Sequence, residues 1–89
     1  MSEIRIVSLK KITDSVPAQW TGETASGPLV YIRYRFGALR VHVGPGIDEA
    51  IERDPVFVWD EGDEYDGCMD EEELRELLPT WIVLPEVIA

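Results

Sequence analysis

From Leu29 to Val43 the chain reads Leu-Val-Tyr-Ile-Arg-Tyr-Arg-Phe-Gly-Ala-Leu-Arg-Val-His-Val, and apolar side chains recur at every second position on both sides of Gly37. Period two marks a strand with one buried face, because successive side chains point to opposite sides of the pleat. Two such runs around a glycine predict a β-hairpin. A two-residue loop with glycine first suits a type II′ turn, where the first loop residue needs a positive φ. With Gly37-Ala38 as that loop, Phe36 falls opposite Leu39, Tyr34 opposite Val41 and Ile32 opposite Val43. These six side chains form one face. The other face takes Arg35 opposite Arg40 and Arg33 opposite His42, with Tyr31 beyond them. A slip of one residue would drive arginines into the core, so the register should be firmly set.

The flanking segments supply further strands. Glu3 to Leu9 reads as a first strand with Ile4 and Ile6 on one side. Ala18 to Ala25 reads as a second, and a Ser26-Gly27-Pro28 loop would place its Trp20 opposite Tyr34 in the core. A shorter Ser26-Gly27 loop would instead set Trp20 on the arginine face, where it could stack on Arg33. Gly22 marks a bulge or a close backbone approach. Ile47 to Arg53 has the spacing of a short amphipathic helix, and Asp54-Pro55 stops it. Val56 to Trp59 reads as a short strand with Phe57 and Trp59 on one side. Asp70 with Glu73 three residues on is a capping-box pattern, and Leu74, Leu77 and Leu78 form the stripe of a helix ended by Pro79. Trp81 to Leu84 reads as a last strand.

The expected fold is therefore α+β, one domain over residues 1–89. It has a mainly antiparallel sheet of four to five strands, a central hairpin at 29–43 and a C-terminal helix near 70–78 packed on the sheet. That helix should set its leucines against Ile32, Tyr34, Phe36, Leu39, Val41 and Val43.

Charge divides the chain more sharply than hydropathy does. The net charge is −10 over 89 residues. Residues 1–44 carry six Lys and Arg against three carboxylates, whereas residues 45–89 carry Arg53 and Arg75 against 15. Such asymmetry informs about partners rather than fold. It argues against direct binding to nucleic acid, which needs a basic footprint. Cys68 is the single cysteine, so the chain forms no intrachain disulfide and no cysteine-based metal site. No stretch approaches the ~20 apolar residues of a membrane span. Met-Ser-Glu-Ile-Arg lacks the regions of a signal peptide. A cytoplasmic, soluble protein is expected.

The strongest chemical signal is the acidic stretch. Asp60, Glu61, Asp63, Glu64, Asp66, Asp70, Glu71, Glu72, Glu73 and Glu76 stand against Arg75 alone. A capped helix with a solvated face accounts for Glu71 to Glu73, through the helix dipole. It accounts poorly for the carboxylates crowded into the preceding loop, where self-repulsion costs stability. Carboxylates spaced along a loop and helix can imitate a phosphate backbone and engage a basic protein surface that holds nucleic acid. Asp60, Glu61, Asp63, Glu64, Asp66, Glu72 and Glu76 are the residues expected to do so. Arg33, Arg35, Arg40 and His42 form a second candidate surface.

Gly62 to Glu73 also partly resembles an EF-hand loop. Glu64, Asp66, Asp70 and Glu73 fall at ligand positions and Gly67 at the sharp turn, although Gly62 stands where the first Asp is expected. A calcium-binding module is thus one alternative function. A self-associating module, in which the basic hairpin of one copy meets the acidic loop of the next, is another. In size and charge the chain is similar to small acidic phage proteins that block host nucleases, including some anti-CRISPR inhibitors. That likeness is one of composition and implies a DNA-mimic inhibitor. Catalysis is not expected and no cofactor is implied. His42 is the one histidine and reads as a polar surface residue. Cys68 lies among carboxylates, a poor setting for a thiolate nucleophile, and no phosphate-binding glycine loop is present.

Overall fold

The computed structural model describes residues 3–13, 17–63 and 67–88. The segments that alternate in the sequence become strands: Ile4–Thr13 (β1), Ala18–Thr24 (β2), Leu29–Arg35 (β3) and Ala38–Gly44 (β4). The helix Ile47–Glu52 (α1), the strand Phe57–Trp59 (β5), the helix Glu71–Leu77 (α2) and the strand Ile82–Val83 (β6) follow. They build one sheet in the order β5-β4-β3-β2-β1-β6. Five strands pair antiparallel, and β6 lies parallel to β1, with Ile4 opposite Ile82. The sheet is therefore mixed: its pairings are mainly antiparallel, but it has six strands rather than four to five, and the sixth pairs parallel. The reason is the path after β5. The chain leaves one sheet edge, passes under one face through α2, and returns at the far edge beside β1. We call the face covered by α2 the inner face.

The central hairpin forms, but its turn sits one residue earlier than the sequence suggests. Phe36 and Gly37 are the loop, with φ of 55° and 74°. Two positive φ values define a type I′ turn, whose twist matches that of the strands. Pairing accordingly sets Tyr34 opposite Leu39, Ile32 opposite Val41, Val30 opposite Val43, Arg33 opposite Arg40 and Tyr31 opposite His42. Moving the turn by one residue moves the register by two, so every strand residue keeps its face. Phe36 alone changes place. It leaves the expected core and is 66% exposed. Gly37 is fixed by the crossing of the 60–63 segment. Gly62 N–H donates to the Gly37 carbonyl at 3.0 Å. A Cβ on Gly37 would stand 2.5 Å from the Gly62 carbonyl oxygen.

The core fills the inner face. Trp20, Ile32, Leu39, Val41, Val30 and Leu74 are fully buried. Trp20 is in the core as expected, opposite Ile32 rather than Tyr34, because the β2–β3 loop is Ala25–Gly27, closed by Thr24 N–H to the Pro28 carbonyl. Lys11 lies 5.4 Å from the Trp20 ring centre and donates to the Met69 carbonyl at 3.0 Å. A register shift between Ile6 and Ser8 lets Ile6 and Leu9 share the inner face while Val7 stays exposed. Gly22 is the close approach that its sequence position suggests. A Cβ there would lie 2.0 Å from the Ser8 carbonyl oxygen.

The two helices take opposite faces. Asp70 caps α2 by accepting from Glu73 N–H at 2.9 Å, the contact the sequence predicts. Leu74 enters the core, and Leu77 and Leu78 pack half-buried at its edge. On the outer face α1 seats Ala50 against Gly44, where a Cβ would meet the Ala50 nitrogen at 2.8 Å. Among the described residues no helix is long and apolar enough to cross a membrane.

Candidate functional site

The outer face is built of three rows across the sheet, with the Arg35–Ala38 pair beyond them next to the hairpin turn. Ser8, Glu23, Leu29 and Gly44 form the first; Lys10, Thr21, Tyr31 and His42 the second; Thr13, Gln19, Arg33, Arg40 and Val58 the third. α1 covers the His42 end. There the His42 ring nitrogen Nδ1 lies 3.1 Å from the Arg53 carbonyl, and His42 and Tyr31 are both buried. His42 is thus held under a helix and is not the surface residue that a mid-strand polar position suggests. The Tyr31 hydroxyl donates to Gln19 Oε1 at 2.9 Å. Burial raises the Tyr31 pKa, against an opposing pull from the nearby Arg33 charge.

The third row is partly open: Arg40 and Val58 are exposed, whereas Thr13, Gln19 and Arg33 are half-buried. Arg33 and Arg40 stand directly opposite each other, a like-charge pair that costs stability unless something neutralises it. Between described residues two ion pairs form, Arg5–Glu3 and Arg75–Glu71, and neither involves Arg33, Arg35 or Arg40. Arg33 Nε is buried and has no hydrogen-bond partner among the described residues. At the hairpin tip the Arg35 guanidinium lies 4.6 Å from the centre of the exposed Phe36 ring. The arginines that the sequence assigns to one face are therefore on one face, with Phe36 added at its end.

The acidic residues fall into two groups. Asp60, Glu61 and Asp63 are exposed on the segment that follows β5 and crosses the hairpin turn. Glu72 and Glu76 are exposed on α2, where i, i+4 spacing puts them on one stripe. Glu64 and Asp66 lie outside the described residues. The sheet separates α2 from the arginine row, since Leu74 belongs to the inner core while Arg33 and Arg40 point outward. For the calcium alternative, the segment before the acidic loop is β5 rather than an entering helix, and the Asp70 carboxylate is engaged as a helix cap. No group of three or more potential ligands is assembled among the described residues.

One feature is invisible in the sequence. A cleft of about 350 Å³ opens between the C-terminal half of α2 and the chain that returns to the sheet. Leu78, Pro79, Thr80, Ile82, Val83 and Leu84 line it, with Arg75 at one side. Arg75 is occupied by Glu71 and by the carbonyls of Pro85 and Glu86. The Leu-Pro and Val-Leu-Pro segments give the cleft its apolar wall, but only the parallel return of β6 brings them together. No family model matches the chain, and no curated protein or solved structure shows significant similarity to it.

Proposed function

We propose that this protein is a small acidic binding module, not an enzyme, whose carboxylate surface docks on a basic surface of a partner protein of the kind that holds nucleic acid. The observation that supports this is the separation of charge. The carboxylates of α2 are kept from the arginines of the outer face, because the sheet stands between α2 and the Arg33–Arg40 row. Of the α2 carboxylates, only Glu71 is ion-paired among the described residues. Ten carboxylates against one arginine in 17 residues make this stretch strongly negative, and such charge steers a cationic partner in a way that weakens with salt. An inhibitor that occupies a nuclease's nucleic-acid channel is the most specific form of this function.

The test is capture of basic nucleic-acid enzymes at low salt, competed by duplex DNA. The protein is compared with a variant carrying Asp60→Lys, Glu61→Lys, Glu72→Lys and Glu76→Lys, all at exposed positions. Loss of capture in the variant, with an unchanged circular dichroism spectrum, is the expected result. Equal capture by both proteins, or no displacement by DNA, would refute the proposal.

A further inference from the structure

We infer that the hairpin tip and the cleft beside α2 are the two halves of a head-to-tail contact between copies of this chain. The tip carries three features that its own fold leaves unused. Phe36 is 66% exposed and held at φ 55°, a conformation rare for a bulky side chain. Asn or Gly would be the ordinary choice at that turn position. Strain retained at an exposed aromatic residue points to a use for that residue. Beside it, the opposed Arg33 and Arg40 have no carboxylate among the described residues, and Arg33 Nε is buried without a partner. Arg35 completes the set, stacked on the Phe36 ring. An exposed aromatic residue framed by arginines has the composition of a binding hot spot.

The complement lies on the other side of the same molecule. The cleft is apolar along Leu78, Ile82, Val83 and Leu84, and its 350 Å³ is ample for a phenyl ring. Its α2 wall is the Arg75–Leu78 stripe, and Glu72 and Glu76 occupy the stripe next to it, about 100° further round the helix. An aromatic anchor beside arginines thus meets a mainly apolar slot whose lining cation, Arg75, is already tied to Glu71 and to the Pro85 and Glu86 carbonyls, with Glu72 and Glu76 on the next stripe of the helix. Within one chain the sheet forbids the meeting. Between chains nothing does. Such a contact joins unlike surfaces, so it adds copies in series until the rotation closes a ring. Phe36 seats in the cleft, and Arg33, Arg35 and Arg40 meet Glu72 and Glu76.

This inference rests on the tip and the cleft and not on the proposed basic partner, so the two fail separately. Sedimentation velocity on the intact chain tests it, from roughly 10 μM to roughly 1 mM and at about 20 mM and about 0.5 M salt. The expected result is a mass that rises with concentration at low salt and falls to the monomer at high salt. Phe36→Asn, which suits the turn, keeps its cleft but lacks the anchor. Thr80→Trp fills the cleft from its exposed rim but keeps the anchor. Each should sediment as a monomer, and an equimolar mixture of the two should stop at the dimer. A protein that stays monomeric throughout overturns the inference. So does assembly that survives Phe36→Asn, or a mixture of the two folded variants that gives no dimer.

Discussion

The two faces of the sheet differ in how completely the chain covers them. The inner face receives α2 and the returning C-terminal segment, and its residues from Trp20 to Leu74 reach full burial. Among the described residues the outer face receives one helix, α1, which covers Tyr31, His42 and Gly44, while Arg40 and Val58 in the next row stay exposed. Hydrophobic burial stabilises in proportion to area removed from water. Stability is therefore concentrated on one face and charged, adaptable surface on the other. A domain this small has little surplus stability to spread over both.

The largest effects should come from the inner face. Leu74→Ala removes a fully buried side chain and should cost about 2–5 kcal/mol, read from the urea midpoint. Leu77→Ala should cost clearly less, because Leu77 is only half-buried. Equal losses would mean that α2 does not seat through Leu74. Gly22→Ala tests the backbone instead of a side chain. Its Cβ would strike the Ser8 carbonyl in the β1–β2 pair, and neither partner is a flexible side-chain end. A cost of about 1–3 kcal/mol is expected, with the β1–β2 bulge displaced. A neutral result would show that the bulge is pliable.

At the outer tip the sign should reverse. Phe36→Asn replaces a bulky residue at positive φ by one that tolerates it, while Gly37 remains in place. A gain of up to about 1 kcal/mol is expected, measured by the same urea titration. A loss of stability would mean that Phe36 contributes packing that its exposure does not reveal. The pairing of higher stability with lost assembly would place the cost of the native residue in recognition rather than in folding.

What the sequence disclosed follows the same division. The inner face is legible because period two and the buried helix stripe are local signals, and the cap spans only Asp70 to Glu73. The turn lies one residue before its expected place because Gly37-Ala38 and Phe36-Gly37 give the same faces, and the crossing of Gly62 over Gly37 distinguishes them. The parallel placement of β6 is a long-range outcome that no local pattern encodes. Arg33, Arg35 and Arg40 share one face, as their alternation in the sequence implies. Their isolation from the acidic residues of α2 depends on which side of the sheet α2 takes. The cleft, and Phe36 as an exposed anchor, emerge only from that arrangement.

The smallest expected effect asks whether the covered end of the outer face behaves as core. Burial holds the Tyr31 phenol above its ordinary pKa near 10, with the Arg33 charge pulling the other way. The folded state then binds this proton more tightly than the unfolded chain does. Its contribution is fully present below pH 10 or so and is lost as pH rises through the raised folded value. Tyr31→Phe cannot ionise, so its urea midpoint should fall less steeply between pH 9 and 11 or so than that of the native chain. At neutral pH the variant should be slightly weaker, by about 1 kcal/mol, because the hydrogen bond to Gln19 is gone. Every other ionisable group is common to the two proteins, so the difference between the two slopes isolates Tyr31. Parallel slopes would mean that α1 opens readily enough to hydrate the phenolate. The outer face would then be surface along its whole length, and the contrast with the inner face would be sharper than the static packing implies.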